Sequence, residues 1–255
     1  MKEENKEKKE VSNKKAITLI IIAVILLIIL GAVYAAVLNN KNDNCCNDVE
    51  NTNSQSNRTS QEDVEGNYIK PTPAYKPIIY IYPKEETKVT VKVGKPENLT
   101  HTYPKYENGW EVTAKPNGDL LDCKTSRNLY ALYWEGINTV EPNMEEGFVV
   151  KGENTIEFLE EKLEILGLSE RESNEFIIYW LPKLESNKYN FIRFQTEEEI
   201  SSNMPLEITP EPDTIIRVVM EYKALEETIE VKEQQLETPE RTGYAVVEWG
   251  GTEIK

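Results

Sequence analysis

Between Ala16 and Leu38 the chain carries no charged residue and is almost wholly apolar. As a helix rising ~1.5 Å per residue this run spans roughly 34 Å, slightly more than the ~30 Å hydrocarbon core of a bilayer, so the pattern predicts a transmembrane anchor. Polar residues dominate from Asn39 to Pro71, a composition that buries too little surface to order itself and reads as a stalk. Beyond it, from 72 to 255, apolar positions return with clear periods, and one domain is expected there. Ile78 to Tyr82 is an apolar burst between Pro77 and Pro83, and Val89, Val91 and Val93 alternate with Lys88, Thr90 and Lys92, the period of a half-buried strand. Further strands are expected at Leu99–Tyr103 and Trp110–Lys115, joined as a hairpin across Asn108-Gly109. Leu129–Glu135 and Phe148–Lys151 continue this β-rich half.

The period changes at Asn154. Ile156, Leu159, Leu163 and Leu166 recur at helical spacing, with Asn154 and Glu157 placed for a capping box and Gly167 for a left-handed stop. Ser169 and Glu172 repeat the box and start a second helix through about Trp180, with Pro182 as its end and Phe176, Ile177 and Trp180 as its apolar stripe. Strands resume at Tyr189–Gln195, Thr214–Lys223, Thr228–Lys232 and Tyr244–Trp249. Runs of strands on both sides of one helical pair predict an α+β domain, mainly antiparallel, with an inserted helical hairpin.

Charge orients the chain and narrows its partners. Lys2, Lys6, Lys8, Lys9, Lys14 and Lys15 precede the apolar run, so residues 1–15 are expected in the cytoplasm and the domain at 72–255 on the extracytoplasmic side of a single-pass cell-membrane protein. Ala35 and Ala36 offer the alternative of a cleaved secretory signal, but the run exceeds the ~7–15 apolar residues of such signals. The net charge of −16, without a basic patch, argues against nucleic acid. Three cysteines, Cys45, Cys46 and Cys123, encode no disulfide framework.

Candidate chemistry is sparse. His101 is the single histidine, and no HExxH, CxxC or EF-hand pattern is present, so no metal or cofactor is expected. His101, Cys123 and Arg127 follow the chain order of sortase transpeptidases, but the TLxTC strand of that family is missing and the His-to-Cys separation is too short. Three aromatic clusters stand out: Tyr133-Trp134-Glu135-Gly136, Tyr179-Trp180-Leu181-Pro182 and Glu248-Trp249-Gly250-Gly251. Glu135 and Glu248 are the candidate catalytic pair of a glycan hydrolase, which needs its carboxyl groups ~5.5 or ~6.5–9.5 Å apart. Tyr133, Trp134, Trp180 and Trp249 are the candidate binding platform, with core packing as the alternative for each.

KPIIYIYP at 76–83, NGW at 108–110, YWEG at 133–136, YWLP at 179–182 and VVEWGG at 246–251 resemble the motifs of a bacterial family of exported, membrane-anchored proteins. The resemblance covers most of the chain after the stalk and implies one intact domain, with no activity, ligand or catalytic residue attached. The sequence-level expectation is a membrane-tethered module that engages a cell-wall polymer or envelope protein, with an exported hydrolase as the alternative.

Overall fold

The computed structural model describes residues 72–255. The anchor expected at 16–38 and the stalk at 39–71 lie outside them, and among the described residues no helix is long and apolar enough to cross a membrane. Thirteen strands and three α-helices form an α+β domain. The strands are β1 (Thr72–Tyr82), β2 (Thr87–Val93), β3 (Leu99–Tyr103), β4 (Trp110–Ala114), β5 (Leu120–Asp122), β6 (Asn128–Leu129), β7 (Leu132–Asn138), β8 (Glu146–Lys151), β9 (Tyr189–Phe194), β10 (Leu206–Thr209), β11 (Thr214–Leu225), β12 (Lys232–Glu233) and β13 (Ala245–Glu253). The helices are α1 (Thr155–Ile165), α2 (Glu170–Leu184) and α3 (Glu197–Asn203).

Eight strands make one sheet in the order β12-β8-β9-β11-β13-β1-β7-β3, and five make a second in the order β10-β2-β4-β5-β6. Pairing is antiparallel except for β11 with β13 and β12 with β8. The larger sheet is the middle layer. One face packs Ile78, Tyr80, Val247 and Trp249 against Leu159, Leu163, Phe176 and Trp180 of α1 and α2. Its other face packs Ile79, Ile81, Leu132 and Val246 against Val89, Val91, Trp110 and Val112 of the smaller sheet. A strand buried on both faces needs apolar residues at consecutive positions, which is why Ile78 to Ile81 reads as a continuous run rather than an alternation. Full burial of Ile79 and Ile81, each 0% exposed, is worth about 1.5–3 kcal/mol apiece.

Five sequence expectations are corrected. β1 begins at Thr72 and carries Pro73 and Pro77 inside it, and at Pro77 a bulge between Tyr75 and Ile78 absorbs the ladder bond that a proline cannot make. Asn108-Gly109 does not join a hairpin: β3 pairs with β7 in the large sheet and β4 with β2 in the small one. Asn154 precedes α1 without a side-chain capping bond, and Pro182 lies inside α2 rather than ending it. Residue 178, four positions before that proline, is 66% exposed, so water can reach the carbonyl left without a helical N–H. The strand expected at Thr228–Lys232 shrinks to the two residues of β12. Beside it, Gln234 accepts from the Phe194 N–H at 2.9 Å and donates to the Phe194 carbonyl at 2.7 Å, so a side-chain amide stands where a strand would pair.

The second capping box is realised. Ser169 accepts from the Glu172 N–H and Glu172 accepts from the Ser169 N–H, while Arg241 grips both Glu172 oxygens at 2.8 and 3.0 Å. Burial opposes ionisation of Glu172, but the hydrogen bonds from Arg241, the Ser169 backbone and Tyr82 outweigh it and hold the carboxyl below the usual range. A carboxylate depressed on folding stabilises the native state above its unfolded value and gives that up as pH falls through the folded one. Glu172→Gln is therefore expected to lose about 1.5–3 kcal/mol at pH 7. Urea unfolding midpoints should show its gap from wild type closing as pH drops below about 4.3.

Candidate functional site

Neighbours across a strand pair share a face, and residues along a strand alternate. Ile79 lies opposite both Leu132 and Glu248, and Ile78 opposite both Tyr133 and Trp249. Trp134 and Glu248 consequently face the smaller sheet, whereas Glu135 shares the helix-facing side with Tyr133. The two carboxylates proposed as a catalytic pair stand on opposite faces of one sheet and open into no common cleft.

Glu248 is 0% exposed and committed to structure. It accepts from Trp134 Nε1 at 2.8 Å and from Arg217 Nε at 2.7 Å, and Arg217 also donates to the Met204 carbonyl at 2.8 Å. A second buried set continues along the same face: Arg193 bridges Glu221 at 2.8 Å and Glu199 at 2.9 Å, and Gln195 donates to Glu221 at 2.8 Å. Burial pushes the Glu221 carboxyl up despite the opposing bonds from Gln195 and Arg193. Trp134, Asn138, Asn203, Arg217, Glu248 and Thr252 surround a cavity of about 20 Å³, room for one water and no larger ligand.

Two other members of the aromatic platform are core. Trp180 and Trp249 are 0% exposed, and their rings pack with Phe176 at centroid separations of 6.0 and 5.3 Å. Tyr133 is the one predicted binding residue that remains half-buried at the surface. Burial, then the hydrogen bond to Glu135 and its charge, push the Tyr133 phenol up, so these two groups act as one unit. Glu135 lies 3.7 Å from His101 Nδ1 across the β7–β3 pair. Past it an open groove of about 420 Å³ runs between Pro73, Ala74, His101, Glu135 and Ile137.

The residue that sequence reading passed over is Lys76. Tyr75 faces Gly251 and Ile78 faces Trp249, so three steps of β1 oppose two of β13 and the extra residue falls in the Lys76-Pro77 bulge. Lys76 takes φ of 51°, a left-handed conformation that costs a lysine about 1–2 kcal/mol. Its ammonium is thereby carried 4.8 Å from the Tyr179 ring centroid and 5.7 Å from that of Trp249. Lys183, one helical turn from Tyr179, places a second ammonium 4.9 Å from the same ring. The glycine pair makes the arrangement fit. A Cβ on Gly250 would come within 3.0 Å of Pro77, and one on Gly251 within 2.7 Å of Trp180 and 2.6 Å of the Met220 carbonyl.

Four separated motifs thus meet at one place. KPIIYIYP supplies the bulge, VVEWGG the space beneath it, YWLP the ring under the ammonium, and YWEG the Tyr133–Glu135 unit. No protein-family model, curated protein or solved structure matches the chain. What the rim of Tyr75, Lys76, Tyr133, Glu135 and Tyr179 can do is present aromatic surface between a fixed cation and a fixed anion. Among the described residues no group of His, Cys, Asp and Glu is placed to hold a metal ion.

Two substitutions separate the scaffold from the rim. Glu248→Ala leaves Arg217 buried without its counter-ion and is expected to cost about 3–5 kcal/mol in urea unfolding. Glu248→Gln, which still accepts from Trp134, is expected to cost less. Lys76→Gly relieves the left-handed backbone and should leave the unfolding free energy unchanged or up to about 1 kcal/mol higher, while removing the ammonium. A loss of several kcal/mol in Lys76→Gly would show that Lys76 is held for stability.

Proposed function

We propose that this chain is a membrane-tethered extracytoplasmic binding module that takes a cell-wall polymer or envelope protein on the rim around Lys76. The observation that carries the reading is the half-buried Lys76 side chain, whose ammonium is held over the Tyr179 ring by a left-handed backbone that costs a lysine energy. Strain of this kind persists where the surroundings over-determine it, and it clusters at ligand-contacting positions. Rigid aromatic side chains ringed by a few polar groups are the usual composition of such contacts. The hydrolase alternative loses its reacting pair, since Glu248 is neutralised inside the sheet and Glu135 faces the other way. Apolar residues 16–38 and the polar stretch 39–71 support the tether and the stand-off distance.

Full-length protein in detergent micelles, passed over immobilised wall fragments, should be retained. Tyr179→Ala, which removes the ring beneath Lys76, should weaken retention at least tenfold with the far-UV circular dichroism unchanged. Wild-type protein that passes through every wall fraction and every envelope-protein fraction alike would overturn the reading.

A further inference from the structure

The charge around the rim narrows the ligand further. In a chain of net charge −16 some lysines pair with carboxylates, as Lys84 does with Asp213, Lys88 with Glu111 and Lys124 with Glu107, and others, such as Lys92 and Lys115, stand in solvent without one. Among the described residues, neither Lys76 nor Lys183 has a carboxylate within ion-pair distance. Both instead flank Tyr179. A cation over a ring gains about 0.5–1 kcal/mol at an exposed site, less than a charge-assisted hydrogen bond to an oxyanion provides. What sets Lys76 apart is that its half-buried side chain is fixed over the ring, with its ammonium open to such a bond.

The same surroundings exclude a polyanion. Glu135 is close enough for its charge to act on the Tyr179 phenol, so a second negative group beside the first would meet a fixed carboxylate. A chain of phosphates or uronates would also meet the negative field of the whole domain. At physiological ionic strength that field is screened over about 8 Å, so one carboxylate seated on Lys76 is governed by the ammonium it touches.

We infer that Lys76, with Lys183 beside the same ring, receives a single free carboxylate, and that the ligand is a peptide stem of the cell-wall polymer ending in that carboxylate. The inference rests on the rim being the binding surface. Peptides crossing a net-neutral amino-sugar polymer supply isolated carboxyl ends without the dense charge that Glu135 disfavours, and the apolar groove past Glu135 offers length for the residues that precede the terminus.

The test uses full-length protein in micelles and three probes. These are intact wall sacculi, sacculi stripped of peptide by an amidase, and a soluble acetylated tripeptide ending in D-alanyl-D-alanine, as free acid and as C-terminal amide. Retention should fall at least tenfold on stripped sacculi, and the free acid should displace the protein where the amide does not. Lys76→Gln should lose at least tenfold in affinity at an unchanged urea midpoint, with Lys76→Arg recovering part of it. Equal retention on stripped sacculi, equal displacement by acid and amide, or wild-type affinity in Lys76→Gln would each overturn the carboxylate assignment. Retention on bare glycan that is lost in Tyr179→Ala would overturn it while leaving the rim as the binding surface. Failure to bind any probe or envelope protein would remove both, and binding confined to envelope proteins would remove the wall peptide.

Discussion

A carboxylate buried without a partner in an apolar sandwich would be protonated or would not stay buried, and Glu248 is at 0% exposure near the centre of this one. The ion pair of Glu248 with Arg217 and its hydrogen bond from Trp134 tie β13 to β11 and β7 in a single step. The remaining Arg217 donor reaches the carbonyl of Met204 at the foot of α3, so the same contact fixes how that short helix closes over the sheet. Arg193 repeats the device one strand further out, where it joins β9, β11 and α3 through Glu221 and Glu199. Geometry this specific is supplied by paired charges, because apolar contacts alone tolerate sliding of one layer over another.

With the middle layer positioned in that way, the face beneath the helices is free to carry a strained feature. The bulge in β1 sits where Pro77 meets Gly250 and where Trp180 closes over Gly251, so each glycine is set by a neighbour that leaves no room for a side chain. Trp249 donates to the Tyr80 hydroxyl at 3.2 Å, and Tyr80 donates to Glu175 at 2.9 Å, which joins the core beneath the rim to α2. Lys76 has little freedom to relax because Tyr75 is paired with Gly251 and Pro77 is buried against Gly250.

Strands with one wet face were legible in the sequence, as Val89 to Val93 and Trp110 to Ala114 show, because alternation is a local property. Partner choice was not. Asn108-Gly109 has turn chemistry, yet its flanking strands belong to different sheets, and only long-range pairing decides that. Pro77 reads as the boundary of the apolar burst at Ile78–Tyr82 because nothing local announces a bulge. Helix α3 carried a visible signal in Thr196 and Glu199, whose capping box is formed, but its single turn of apolar pattern was too short to register. At the candidate site, the aromatic clusters of the sequence do meet in space, while the division into core and rim depended on strand parity and on one extra residue in β1. Lys76 lay inside a motif already singled out and was overlooked because a lone lysine has no pattern.

Gln234 bears on how the domain lives in company. The outer flank of β9 beyond Gly147 would otherwise present an unmet amide and carbonyl at Phe194, an invitation to a neighbouring molecule's extended segment. By spending one glutamine amide on both groups, the protein seals that stretch of its margin from within. Copies of the domain at high local concentration are then less prone to stitch together through their edges.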